Sequence, residues 1–341
     1  MQGPAKRSGA ARGTRLLWVS LLLSASVGWA AAADADPATA LRERHAALRD
    51  ALAKNAFQRP IALESTQASG QLKGEIHAVV EYPFETVSSA LKGSANWCDI
   101  MILHLNTKDC RPTANAAPSG MQVRIGKKYD QPLEEAFLVE FSYRLVASTP
   151  ELLQVQLNAD NGPLGTRDYR IVLEAIPLDA RRSFLHMSYS YGFGAMARMM
   201  MQGYLNTFGR GKVGFSVTGR ESDGQPIFVD SMRGVVERNT MRYFLAIDAF
   251  LGAARLPPAE RAERRITDWF AATERYARQL HELERDDYLA MKRKEIARMQ
   301  AAASRLLLHL EVVGLFHLVQ LSRVALGGGE PVAQALVELL R

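Results

Sequence analysis

The chain has 341 residues, 48% of them hydrophobic and 23% charged, a balance that fits a globular protein with a real core and excludes a disordered or fibrous one. Its 42 Lys and Arg residues exceed 36 Asp and Glu. Four of the basic residues (Lys6, Arg7, Arg12, Arg15) precede every acid, and without them the balance is 38 to 36. Net charge therefore gives no support to nucleic-acid binding.

The N-terminus has the three parts of a secretory signal. No acid precedes Asp34, residues 16–27 form a short apolar run broken by Ser20, Ser24 and Ser26, and residues 28–33 are small, with Ala30, Ala31 and Ala32 fitting an A-x-A cleavage pattern. The run is too short to span a bilayer comfortably. A cleaved signal over residues 1–33 is expected, and with it a periplasmic or secreted protein; a retained anchor is the alternative. No lipobox cysteine accompanies the run.

Residues 34–70 read as a helical lead and linker, with Leu41, His45, Leu48 and Leu52 at helical spacing and Pro60 ending the helix. Residues 72–81 alternate as a strand, with Ile76, Ala78 and Val80 on one face. Pro83 sits where a helix can begin, and Phe84, Val87, Ala90 and Leu91 make its apolar stripe. After Gly93, Ser94 to Trp97 read as a second short helix or turn, and residues 100–107 (IMILHLNT) as a strand.

The only cysteines, Cys98 and Cys110, lie close enough to pair in an oxidising compartment. The bridge would stabilise the fold by about 3 kcal/mol on a chain-entropy model. Two free thiols are the alternative. A zinc site would need more than His104 beside them, so no metal is expected.

Strands follow in succession over 121–128, 136–147, 151–159, 167–178 and 183–191. Phe137, Val139, Phe141, Tyr143 and Leu145 share one face of the second; Tyr169, Ile171 and Leu173 share one face of the fourth. Leu185, Met187, Tyr189 and Tyr191 do so in the last. Turn signals at Thr149-Pro150, Asn161-Gly162-Pro163 and residues 179–182 separate them. Period-two alternation with short connections predicts an antiparallel sheet with one face buried. A helix is expected over 194–208, then two short strands around 212–219 and 226–229 joined at Ser222-Asp223-Gly224.

Residues 232–252 form a strongly amphipathic helix through Val236, Thr240, Phe244, Ile247 and Leu251. Pro257-Pro258 breaks it. Residues 259–302 read as a long charged helical region whose mixed charges make a solvated face with i,i+4 pairs. Residues 304–326 are apolar but carry His309, Glu311, His317, Gln320 and Arg323, a poor membrane span. They read as a docked helix, with an interfacial helix or irregular tail as alternatives. Gly327-Gly328-Gly329 then breaks the chain before a final short helix.

This order, with the VVEYPFETVSSAL stretch at 79–91 and Ser94-Ala95-Asn96-Trp97 after it, resembles the START and polyketide-cyclase superfamily. The resemblance implies an α+β helix-grip fold, a curved antiparallel sheet wrapped around a helix, here with a C-terminal helical extension. The gripping helix is either 195–208 or 232–252; in the latter case 212–229 is an insertion. The domains expected are a signal peptide (1–33), the lead (34–70), the helix-grip domain (71–253), a charged extension (254–303) and a tail (304–341). The resemblance also implies a cavity for a lipid or other hydrophobic small molecule.

The lining expected of that cavity is Phe141, Tyr143, Tyr169, Met187, Tyr189 and Tyr191 from the sheet, with Met199 and Met200 facing them from a helix. Methionine adapts to irregular apolar shapes, and tyrosine sets a polar tip in an apolar wall. An ordinary core of the same residues is the alternative.

No GxSxG, HExxH, Walker or dinucleotide motif occurs, no catalytic set stands out and no cofactor is implied. His104 is a candidate base only if Asp99 or Asp109 orients it; His186 and His77 should face away from the tyrosines. Arg167 and Asp168 are expected to pair with Arg144 or Glu140. The favoured function is an exported, non-enzymatic binding or carrier protein for a lipid-like ligand. The alternatives are a cyclase, dehydratase or hydrolase in the same cavity, or a scaffold acting through its C-terminal helices. Peripheral membrane contact and oligomeric state stay open.

Overall fold

The computed structural model describes residues 36–113, 119–206 and 211–325, the side chains of 204–206 and 306–325 excepted. The signal-peptide expectation, the triple-glycine break and the final short helix lie outside the described residues.

Two N-terminal helices, α1 (Pro37–Ala47) and α2 (Arg49–Ala53), precede eight strands: β1 (Ile61–Ala68), β2 (Gln71–Val80), β3 (Thr107–Thr113), β4 (Gly120–Ile125), β5 (Phe137–Ser148), β6 (Leu153–Asn161), β7 (Thr166–Pro177) and β8 (Ser183–Phe193). They form one antiparallel sheet in the order β1-β2-β8-β7-β6-β5-β4-β3. Helices α3 (Phe84–Leu91) and α4 (Ser94–Met101) carry the chain from β2 to the far edge at β3. From there it returns strand by strand until β8 closes against β2.

Alternation sets the register. Tyr143, Leu157, Ile171, Tyr189 and Gly74 lie in one row across five strands, and Leu145, Val155, Leu173, Met187 and Ile76 in the next. Both rows turn toward the core except at Leu145, which is exposed, and each fully buried Leu or Ile contributes about 1.5–3 kcal/mol. Register shifts in β3, β5 and β7 bend the strands, the usual effect of a bulge, and give the sheet its curvature.

Across the concave face runs α6 (Ser231–Gly252), burying Met232, Val236, Met241, Phe244, Leu245, Ile247, Phe250 and Leu251. It comes closest at Gly74, where a Cβ would collide with the Thr240 hydroxyl. This is a helix-grip fold, and α6 is the gripping helix. The other candidate, α5 (Ala195–Asn206), leaves Met196, Met199 and Met200 exposed. The insertion between them contains the small hairpin β9 (Val217–Arg220) and β10 (Pro226–Phe228). Glu237 of α6, fully buried, pins its base by accepting the backbone N–H groups of Phe215 and Ser216.

The structure departs from the sequence expectations in four places. Strand β1 is an addition, so the sheet begins at Ile61 and not near 71; it is a polar edge strand with only its first two residues buried. Residues 100–107 are not a strand: α4 continues to Met101, and the chain turns before β3 starts at Thr107. Ile100 to Leu105 are buried throughout, so they show no alternation to read. The charged region divides into α7 (Pro258–Glu274), α8 (Ala277–Leu280) and α9 (Arg285–Ala325). It is also not wholly solvated. The surface pair Arg264–Asp268 forms at 2.6 Å with i,i+4 spacing, but Lys292 and Glu295 are buried.

Those buried charges dock α9. The Lys292 ammonium donates to the carbonyls of His104 and Thr107 at 2.8 Å each and to Glu295 at 2.7 Å. Lys108, from β3, meets the same carboxylate at 3.2 Å. The Tyr288 hydroxyl donates to the Leu103 carbonyl at 2.9 Å, and Trp269 of α7 stacks on Tyr288. Opposite, α1 and α2 cover the convex face through Ala38, Leu41, Leu48 and Leu52 against Ile176 and Phe184. No helix of the described residues is long and apolar enough to cross a membrane.

Candidate functional site

The expected sheet lining comes together. Tyr169 stacks on Tyr191 at 5.3 Å between ring centroids, Tyr189 lies 5.6 Å from Tyr191, and Phe141 meets Tyr169 edge-on at 6.4 Å. Met187 is fully buried beside them. Tyr243 of α6, absent from the sequence expectation, joins the cluster 5.3 Å from Tyr189 and bridges it to His104 at 4.9 Å. Tyr143 stands apart: its hydroxyl accepts the Gly93 N–H at 2.8 Å and so fixes the α3–α4 corner. Burial pushes the Tyr189, Tyr191 and Tyr243 phenols up, so all three stay neutral. Tyr169 shares a hydrogen bond with the Thr166 hydroxyl at 2.8 Å.

Met199 and Met200 do not face this cluster. They lie on the outer side of α5, 62% and 43% exposed, because Ala197 and Met201 are the α5 residues packed against the core. Periodicity marks a helix face but does not fix its phase relative to the sheet.

The histidines hold no catalytic arrangement. His104 is buried in the α4–β3 turn, not on a strand, and burial followed by the nearby Arg242 and Lys292 charges pulls it well below its usual range. The acids nearest in sequence are engaged elsewhere, Asp99 by Arg265 at 2.7 Å and Asp109 by Arg111 at 2.9 Å. His77 and His186 stack at 4.4 Å on the convex face, as expected away from the tyrosines. His186 lies between Glu174 at 2.8 Å and Glu75 at 3.1 Å. Arg167 pairs with its neighbour Asp168 at 3.0 Å, and not with Arg144 or Glu140. Among the described residues, no group of three or more His, Cys, Asp or Glu is placed to hold a metal ion.

A wide opening lies outside the grip. A groove of about 1080 Å³ runs between α3 and α4 on one side and α7 and α9 on the other. Its floor is apolar, from Ile102, Leu103 and Phe250, with Ile296 and Met299 of α9 on the wall. The Cys98–Cys110 disulfide forms part of the same floor and ties α4 to β3. Five arginines and one acid, Asp99, complete the lining. Sequence reasoning missed this site. The signal for it in the sequence is Arg255, Arg261 and Arg265 around Pro257-Pro258, of which Arg261 and Arg265 read as part of a solvated face.

No protein-family model matches the sequence, and no curated protein matches it. Among solved structures the chain is similar to human StAR-related lipid transfer protein 5 at 8% identity, over 63% of this chain and 94% of that one, with a TM-score of 0.32. It is similar to the Zhui aromatase/cyclase from Streptomyces sp. R1128 at 12% identity, over 55% and 98% of the two chains, with a TM-score of 0.29. Norcoclaurine synthase from Thalictrum flavum aligns at 11% identity over 44% and 80%, again with a TM-score of 0.29. Likeness this distant says nothing of ligand or activity.

Proposed function

We propose that the chain is an exported binding or carrier protein for a lipid-like molecule, and that the ligand lies in the groove between α4 and the C-terminal helices. The groove carries this reading. Its volume of about 1080 Å³ is just above the roughly 300–1,000 Å³ typical of small-molecule sites. An apolar floor with charge at its margin suits a molecule that is mostly hydrocarbon. The tyrosine cluster makes ring-on-ring contacts, 5.3–6.4 Å between centroids, between the sheet and α6.

Two observations support export. The first is the basic, apolar and small-residue order of residues 1–33. The second is the Cys98–Cys110 bridge, a bond that persists in oxidising compartments. The carrier role is favoured over chemistry because Asp99, the acid lining the groove, is held by Arg265 and not poised as a base.

The test is native mass spectrometry of the chain expressed with its N-terminal segment and recovered from a periplasm. Cleavage near residues 30–33 and a stoichiometric adduct removed by organic extraction are expected. A chain recovered uncleaved from the cytoplasm overturns export. An apo mass that stays unchanged after incubation with a total lipid extract overturns the carrier reading.

A further inference from the structure

The charges around the groove do not balance. Arg111, Arg255, Arg261, Arg265 and Arg305 line it against Asp99. Arg265 neutralises Asp99, and Arg111 is held by Asp109. Arg261 donates to the Leu256 carbonyl at 2.8 Å, and neither it nor Arg255 has an acidic partner among the described residues. Both stand at or just after the α6–α7 turn, so two of the three lining arginines without an acidic partner gather there, the third being Arg305 on α9.

Arg265 joins the two environments. It is only 8% exposed, and its guanidinium lies over the Phe250 ring at 4.0 Å. One edge binds Asp99, while its Nε has no hydrogen-bond partner among the described residues. Held by Asp99 and Phe250, Arg265 is a fixed cation in the groove wall, and an acceptor in the groove would meet the Arg255 and Arg261 guanidiniums beside it. Arginine suits such an acceptor when it is a planar or tetrahedral oxyanion, which it can grip through two parallel N–H groups.

We infer that the groove selects an anionic amphiphile, with its phosphate or carboxylate head at Arg255, Arg261 and Arg265 and its hydrocarbon tail along Ile102, Phe250 and Met299. The inference rests on the groove being the ligand site. It excludes neutral sterols and acylglycerols as preferred ligands. The same oxyanion chemistry could come from a free anion, so the tail must be tested separately.

Calorimetric titration of the mature chain with dodecyl phosphate, dodecanol and inorganic phosphate separates these cases. Dodecyl phosphate is expected to bind one to one, at least tenfold tighter than either other probe. The double variant Arg255→Gln/Arg261→Gln should lose about tenfold or more of that affinity, as expected for removal of charged hydrogen bonds. Its affinity for dodecanol should be unchanged and its thermal midpoint should fall only slightly, since neither arginine makes an ion pair in the fold and only the Arg261–Leu256 hydrogen bond is lost. Dodecanol binding as tightly as dodecyl phosphate, or a double variant that binds dodecyl phosphate like the wild type, overturns the headgroup inference and leaves a hydrophobic-ligand site. Inorganic phosphate binding as tightly as dodecyl phosphate overturns the amphiphile in favour of a free anion. Failure of all three to bind removes the groove reading itself.

Discussion

Replacing Glu295 by Gln tests how the C-terminal helices, and with them one wall of the groove, are held. Glu295 is 1% exposed and lies between two buried ammonium groups, Lys292 at 2.7 Å and Lys108 at 3.2 Å. Burial already pulls Lys292 down to about 8, against the opposing pull of Glu295. The Gln variant keeps the shape and removes the charge. It leaves two buried ammoniums with only carbonyl and thioether partners, and breaking one side of a buried ion pair costs about 3–5 kcal/mol. For a domain of this size that lowers the thermal midpoint by roughly 10 °C. Circular dichroism during thermal and urea unfolding gives the shift. Limited proteolysis should show α9 cut before the sheet. Converting the whole set to apolar side chains of similar volume should recover most of the loss, because well-packed hydrophobic residues replace buried pairs at little cost. A Glu295→Gln stability within about 1 kcal/mol of the wild type would refute the reasoning, since the lysines would then be neutral or hydrated and α9 held by packing alone.

Three further outcomes follow from the geometry. Gly74→Ala places a methyl against Thr240 and pushes α6 off the sheet; about 1–3 kcal/mol of stability should be lost on urea titration, and Thr240→Ala should recover part of it. Cys98→Ser/Cys110→Ser should cost about 3 kcal/mol and loosen the groove floor, read as an earlier unfolding midpoint that reducing agent no longer shifts. His77 is held near 3, first by burial and then by the His186 and Arg44 charges. The unfolded chain therefore binds a proton at this residue that the fold does not, and stability should fall as pH drops from about 6.5 toward 3. His77→Phe should flatten that slope; an unchanged slope would show that the loss arises at other groups.

Much of the sheet was legible because one face of it is buried. Strands β5 to β8 alternate in phase, so Phe141, Tyr169, Tyr189 and Tyr191 could be placed together from spacing alone. Strand β1 was hidden because an edge strand has few buried positions. The 100–107 stretch misled because a segment buried on every side has no period. Met199 and Met200 failed for another reason, since a helical stripe says which residues share a face but not what that face meets. The groove could not be read at all. Its lining runs from Thr86 to Arg305, on five helices, one strand and the turns after α4 and α6. The buried lysines follow the same logic: Lys292 and Glu295 look like an ordinary surface i,i+3 pair until α9 is docked on the turn that contains His104.

Whether the groove is the ligand site decides the functional reading, and one comparison addresses it directly. Ala262 of α7 lines the groove, and Ala262→Trp obstructs it while leaving the tyrosine cluster untouched. Wild-type and variant chains, both incubated with the same total lipid extract, are compared by native mass spectrometry. The wild type is predicted to hold a one-to-one lipid adduct that the variant lacks at an unchanged thermal midpoint. An identical adduct on the variant would contradict the groove as the site and move the ligand into the grip of the sheet.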